Sequence, residues 1–230
     1  MLELGLWMFM PVRKWIKFFI AILLLPVCAG AALALIKVVR ASGSADTTWV
    51  PLLAGAMCWM VIYFLLPKPM LIYVFGHELT HALWVWLFWG KVKKFKVNSS
   101  GGHVVTDTNN FLISLAPYFF PLYAIIVVTV FALSQLIWNW HHLLPVFHLF
   151  IGAAYAFHVT LTIHILKTQQ SDITSQGYLF SFVVIYLGNV IVLLFGIPFL
   201  TAKVGHLNAW GWWWESTWMV LQKLQRLIHL

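Results

Sequence analysis

Long apolar runs separated by short polar segments dominate the chain. After the basic residues Arg13, Lys14 and Lys17, one apolar run extends to about residue 39. Five more follow, at residues 49–66, 70–89, 111–135, 145–167 and 178–203. Each is long enough for a helix that crosses the roughly 30 Å hydrocarbon core of a bilayer. The pattern therefore predicts an all-α polytopic membrane protein with about six transmembrane helices.

The first of these runs is open to two interpretations. Basic residues before an apolar stretch are typical of a signal peptide, and small residues between Cys28 and Ala34 would suit cleavage. The run is longer than the core of a signal peptide, so we favour an uncleaved first span. In the fourth run, Pro117 and Pro121 are expected to kink or break the first half of the helix.

Two segments outside the runs have patterns of their own. From Lys91 to Val97 lysines mix with apolar residues, and the β-prone His103-Val104-Val105-Thr106 follows a turn containing Gly101 and Gly102. This predicts a small β-hairpin after the third span, with a basic loop on lipid headgroups as the alternative. Residues 209–230 are amphipathic, with one apolar helical face formed by Trp214, Trp218, Leu221, Leu224 and Ile228. They predict a C-terminal helix in the membrane interface, and packing on a partner helix is the alternative.

Composition excludes a water-soluble fold. The 230 residues are 62% hydrophobic and only 9% charged, and the mean hydropathy is +0.90. A net charge of +8 could suggest nucleic-acid binding, but the lysines and arginines are scattered over segment ends. That distribution suits a lipid bilayer as the partner and not nucleic acid. The orientation stays open, because the basic residues do not favour one side of the membrane. The oligomeric state stays open as well.

The third run contains the sequence Gly76-His77-Glu78-Leu79-Thr80-His81. Two histidines four residues apart lie on one helical face, so both imidazoles can bind one metal ion. Glu78 next to the first ligand can then accept a proton from a water on that metal, which is the zinc metalloprotease pattern. A carboxylate in an apolar span costs about 2.5–3.5 kcal/mol on insertion scales, so it indicates function. The alternative is a structural cluster that bonds neighbouring helices.

A catalytic zinc commonly takes three protein ligands, and the third must come from elsewhere in the chain. The downstream acidic candidates are Asp107, Asp172 and Glu215. Asp172 is favoured, because its polar, uncharged neighbours could form an unwound segment at the head of the sixth span. A helix N-cap is the alternative role for Asp172. His158 and His164 are rival ligands, although a lone histidine among apolar residues more often bonds a neighbouring helix.

These motifs resemble the site-2 protease family of intramembrane zinc metalloproteases over about residues 70–200. The resemblance is carried by Gly76-His77-Glu78-Leu79-Thr80-His81-Ala82-Leu83, Gly101-Gly102-His103-Val104 and Leu115-Ala116-Pro117. It implies zinc ligation by His77, His81 and Asp172, with Glu78 as the general base. It departs from the family at the last motif, because Ser171-Asp172-Ile173 replaces Leu-Asp-Gly and the preceding Asn-x-x-Pro is missing. Asn109 or Asn110 is a candidate for the family's asparagine.

The function that follows is hydrolysis of peptide bonds in membrane-embedded protein segments. Gly101, Gly102, His103 and Asn110 would contact the substrate, with His103 as a surface loop residue in the alternative interpretation. We expect one membrane domain of residues 1–230, with accessory spans at 1–66, a metalloprotease-like core at 70–203 and the interfacial helix at 209–230. We expect the location to be a bacterial cell membrane.

Two other functions stay open: a proteolytically silent zinc-binding scaffold or regulator, and a transporter with a His/Asp relay. The topology also raises a difficulty. With a full fifth span, Asp172 begins on the side where the third span ends, whereas the histidines lie near that span's middle. Either the loop dips into the membrane or one of the six runs does not cross it.

Overall fold

The computed structural model describes residues 12–99, 101–138 and 140–228, and it is mostly helical. Ser100 of the predicted turn and His229 and Leu230 of the predicted tail helix lie outside the described residues. The helices are α1 (Val12–Ala41), α2 (Asp46–Leu65), α3 (Met70–Leu87), α4 (Phe111–Leu115), α5 (Leu122–Ile137), α6 (Leu144–Leu166), α7 (Ser171–Gln176), α8 (Tyr178–Thr201) and α9 (His206–Ile228). Strands β1 (Val92–Asn98) and β2 (Gly101–Thr106) follow α3, and short 3-10 helices occupy Ala116–Tyr118 and His141–Leu143.

The chain divides into two compact units. The terminal unit comprises Met1–Ala41, Gln170–Phe199 and Val204–Leu230, and the motif unit comprises Ser42–Gln169 and Leu200–Lys203.

In the terminal unit, small residues allow α9 to pack closely on α1. A Cβ atom built on Gly30 of α1 would lie 2.6 Å from the Cα of Thr217 on α9. The indole Nε1 of Trp213 donates to the Val27 carbonyl at 3.2 Å, and Lys37 pairs with Glu215 at 3.8 Å. The core between these helices includes buried alanines of both, together with residues of α8.

The packing of α9 on α1 concerns both roles predicted for the C-terminal helix, which are a position in the membrane interface and packing on a partner helix. One face of α9 packs on α1, so helix packing is part of its role. The side chains of the predicted apolar face stay exposed in the structure, at Trp214, Trp218, Leu221 and Leu224. That face therefore remains available to lipid, and its interfacial position stays a prediction.

In the motif unit, the tightest helix contact is between α2 and α6. A Cβ built on Gly55 would lie 1.8 Å from the Leu149 carbonyl oxygen, and one built on Gly152 would lie 1.9 Å from that of Leu52. The two glycines thus face each other's helix backbones reciprocally. Close approach through small residues is the usual way in which membrane helices gain van der Waals contact.

The predicted hairpin is confirmed. Strands β1 and β2 are antiparallel, with Lys96 opposite His103 and Val97 opposite Gly102. The carboxylate of Asp107 accepts from the Lys91 backbone N–H at 2.7 Å, which closes the open end of the hairpin. The predicted break at Pro117 and Pro121 also occurs, because Phe111–Tyr118 and Leu122–Ile137 meet at an angle of 79°.

The helices that could span a membrane bear on the predicted six spans. Among the described residues, four helices are long and apolar enough to cross a membrane: Lys14–Ala41, Asp46–Leu65, Leu144–Leu166 and Tyr178–Thr201. The bent pair at Pro121 would make a fifth. These helices are compatible with an integral membrane protein, but six spans are not confirmed. The motif helix α3 is not among them, because His77, Glu78 and His81 reduce its hydropathy.

Replacing Gly152 by alanine tests the α2–α6 contact. The new Cβ would overlap the Leu52 carbonyl oxygen, so we expect Gly152→Ala to destabilise the protein by about 1–3 kcal/mol. The matched control is Gly196→Ala in α8, where no atom of another element lies within 4 Å of the built Cβ. Thermal unfolding in detergent compares the two variants. Equal unfolding midpoints would contradict the close packing.

Candidate metal centre

The motif helix α3 places its two histidines on the same face. The segment Pro67-Lys68-Pro69 separates α3 from the preceding helix. Helix α3 begins at Met70, directly after Pro69, and continues without interruption through the motif. The imidazole centroids of His77 and His81 are 5.0 Å apart, with ring planes at 78°. This is the spacing that one helical turn gives to residues i and i+4.

His81 is oriented by a backbone carbonyl. Its Nδ1 lies 2.8 Å from the carbonyl oxygen of Ile113 in α4. A carbonyl can only accept, so Nδ1 carries the proton and the lone pair lies on Nε2. Such a bond is the usual way in which a metal-binding histidine is held in the correct tautomer and orientation.

The acceptor of this bond is itself held in place by Asn110. Asn110 is the N-cap of α4, and its Oδ1 accepts from the Ile113 backbone N–H at 2.9 Å. Asn110 therefore fixes the residue whose carbonyl orients His81. A substrate contact by Asn110, which the sequence predicts, stays a prediction beside the N-cap role that the structure gives this residue.

Aromatic rings surround His77. The ring of Tyr118 lies 5.2 Å from the His77 ring, nearly perpendicular to it, and that of Tyr73 lies at 5.9 Å. Tyr118 is fully buried and Tyr73 nearly so. Sequence reasoning missed both residues, although Tyr118 directly follows the Pro117 that it singled out. Tyr73 stands one turn before His77, and that spacing was the available signal.

Glu78 is buried beneath the hairpin. Its side chain is 7% exposed, and a Cβ built on Gly102 would lie 2.6 Å from its Cγ. Any larger residue at position 102 would displace either the glutamate or the strand. The predicted glycine-containing hairpin thus contacts the candidate general base directly.

Asp172 lies in the first turn of α7, a short helix and not the unwound segment that the sequence predicts. It is not the N-cap, because Gln170 occupies that position. His77, His81 and Asp172 are three half-buried residues that could hold a metal ion.

The other two acidic candidates, Asp107 and Glu215, interact with residues outside the metal-ligand group. Asp107 closes the hairpin, and the Lys91 backbone N–H holds the pKa of its exposed carboxyl below the usual range. Glu215 pairs with Lys37 in the terminal unit. The rival histidines are not in the ligand group. His164 lies half-buried in the last turn of α6, whereas His158 lines a cavity that His77 also lines.

The remaining predicted substrate residues lie on the hairpin. His103 is exposed and pairs with Lys96 across the sheet, and Gly101 begins β2 opposite Asn98.

No protein-family model, curated protein or solved structure matches the chain.

Chemically, two imidazoles and one carboxylate form a donor set that zinc accepts. Catalytic zinc sites commonly combine three such ligands with one position open to water or substrate. The fixed Nδ1–H of His81 is the feature of this structure that best fits a metal ligand, since it directs Nε2 outward from the bond to Ile113. Softer metals would favour sulfur ligands, and neither Cys28 nor Cys58 is in the group.

Removing the cap of α4 should loosen His81. Asn110→Ala leaves the Ile113 N–H without its side-chain acceptor, at a cost of about 1 kcal/mol. Zinc affinity, measured by competition with a chromogenic chelator in detergent, should fall by up to about tenfold. Asn110→Ser preserves a capping oxygen and should bind zinc nearly as the wild type does. An unchanged zinc affinity in Asn110→Ala would show that the N-cap of α4 does not influence zinc binding.

Proposed function

We propose that this protein is an intramembrane zinc metalloprotease that hydrolyses peptide bonds of membrane-embedded protein segments. The observation that carries the proposal is that His77 and His81 share one face of α3, with His81 oriented by the Ile113 carbonyl. Asp172 is the third residue of a group that could hold a metal ion. The buried Glu78, one residue after the first histidine, adds the group that hydrolysis needs. Four helices that are long and apolar enough to span a bilayer support the membrane part of the proposal.

In this proposal the three ligands hold Zn²⁺, and Glu78 moves the proton. A bound zinc ion lowers the pKa of water and polarises the scissile carbonyl. Glu78 accepts the proton of the attacking water and returns it to the leaving amine. Its burial against Gly102 restricts the carboxylate to few positions, which favours proton transfer because geometry limits that step.

The hairpin is the proposed substrate contact. A transmembrane helix must unwind locally before a peptide bond can be cleaved, and an unwound segment can pair with an open strand edge. A two-stranded sheet has such edges on both sides. Because β2 carries the Gly102 that touches Glu78, a segment added to the hairpin would be held beside the general base.

Replacing Glu78 by glutamine tests the catalytic role. Glutamine has nearly the same shape but cannot accept the proton, so cleavage should fall on the order of 10²–10⁴-fold. Zinc content should not change, because Glu78 is not a ligand in this proposal. The assay reconstitutes the protein with a pool of single-span transmembrane peptides in liposomes and detects new peptide termini by mass spectrometry.

Glu215→Gln is the matched control for this experiment. It makes the same chemical change at an exposed residue of the terminal unit whose ion pair with Lys37 is long, at 3.8 Å. Its cleavage rate should equal that of the wild type. Cleavage retained in Glu78→Gln would refute the proposed mechanism. A wild type that binds zinc and cleaves nothing would favour a scaffold or regulator.

A further inference from the structure

A small cavity lies beside His77 in the motif unit. The volume in which the centre of a water molecule fits is about 20 Å³. Its lining includes His77 of the motif, His158 of α6 and the hydroxyl-bearing residues Thr80 and Tyr123. A site of this size can hold about one water molecule, provided that two or more polar groups bind it.

His158 is the polar group of this cavity that most needs a partner. The residue is 6% exposed, and its Nε2 makes no hydrogen bond to any part of the chain that the structure describes. Leaving a buried donor or acceptor unsatisfied costs about 1–3 kcal/mol. Native structures rarely tolerate that cost without a water molecule or ligand at the group.

Other polar groups of the cavity can complete the site. Thr80 donates its hydroxyl hydrogen to the Gly76 carbonyl at 2.8 Å, and Tyr123 donates to the carbonyl of Ile72. Both oxygens keep lone pairs that can accept from water. With His158 Nε2, the residues that line the cavity carry three such polar atoms, which is within the range that a buried water uses.

A second unsatisfied group lies one turn further along α6. The hydroxyl of Thr162 is buried and has no partner among the described residues. Nearby Thr160 behaves differently, because it bonds back to the Ala156 carbonyl at 2.8 Å and accepts from Trp59 at 2.8 Å. Positions 158 and 162 share one helical face, so the unsatisfied polar groups form a line.

We propose that His158 binds a buried water molecule in this cavity and thereby positions water for the metal centre. Peptide hydrolysis consumes one water per bond, and an apolar surrounding supplies none. A water held by His158 would lie next to His77, a candidate ligand that lines the same cavity. The supply role rests on the proposed function, whereas the water site itself does not.

Radiolytic footprinting with X-rays tests the water site without any substrate. Radicals formed from a bound water oxidise the side chains that touch it, even when these are buried. Tyr73 and Phe157 both line the cavity and are 6% and 9% exposed. We expect both to be oxidised several-fold more than Phe147, an equally buried ring of α6 outside the cavity lining.

Two variants of His158 separate water binding from packing. His158→Leu removes the polar atom, so the excess oxidation of Tyr73 and Phe157 should disappear. His158→Gln keeps a donor and an acceptor and should restore it. No excess in the wild type would overturn the proposal, and so would an excess that persists in His158→Leu. The wild-type result decides the matter even where the leucine variant folds poorly.

Activity measurements then address the supply role. In a cleaving wild type, His158→Leu should lower kcat about tenfold with KM and zinc content unchanged, and His158→Gln should recover most of kcat. Unchanged kcat would refute the supply role. Failure of the protease proposal itself has a different signature, since cleavage would then be absent or insensitive to Glu78→Gln while the footprint of the water stays.

Discussion

Polar and ionisable side chains inside an apolar helix are stable only where neighbouring elements satisfy or enclose them. This constraint organises the motif unit around α3. The hairpin covers Glu78 through Gly102, and α4 offers the Ile113 carbonyl to His81. The aromatic ring of Tyr118 packs on His77. The hairpin, which lies between two long apolar runs of the sequence, and the short helix α4 are therefore parts of the candidate site.

The same constraint explains why local details far from the histidines matter. Asn110 caps a helix of five residues, and through Ile113 it sets the orientation of a candidate ligand. The reciprocal contact of Gly55 and Gly152 brings α6 against α2, and α6 carries His158 to the cavity. A loss of either contact would act on the candidate centre through geometry, since Asn110, Gly55 and Gly152 are not in the group that could hold a metal ion.

Much of this arrangement was predictable, because it depends on local patterns. The i, i+4 spacing of His77 and His81 fixes their common face, and alternating residues with a glycine turn predicted the hairpin. Asp172 emerged by elimination in a chain with only six acidic residues. Its short helix was missed, since residues 168–177 show no hydrophobic period. Run length alone predicts six spans, whereas the polar side chains of His77, Glu78 and His81 lower the hydropathy of α3. The bond from His81 to a backbone carbonyl has no sequence signature.

Metal content of the purified protein tests the central claim most directly. Elemental analysis would compare the wild type with His81→Ala, Asp172→Ala and His158→Ala. The account predicts about one zinc per chain in the wild type, as a three-ligand site implies, with zinc lost in His81→Ala and Asp172→Ala and kept in His158→Ala. A folded wild type without zinc, or zinc that depends on His158 and not on Asp172, would contradict it.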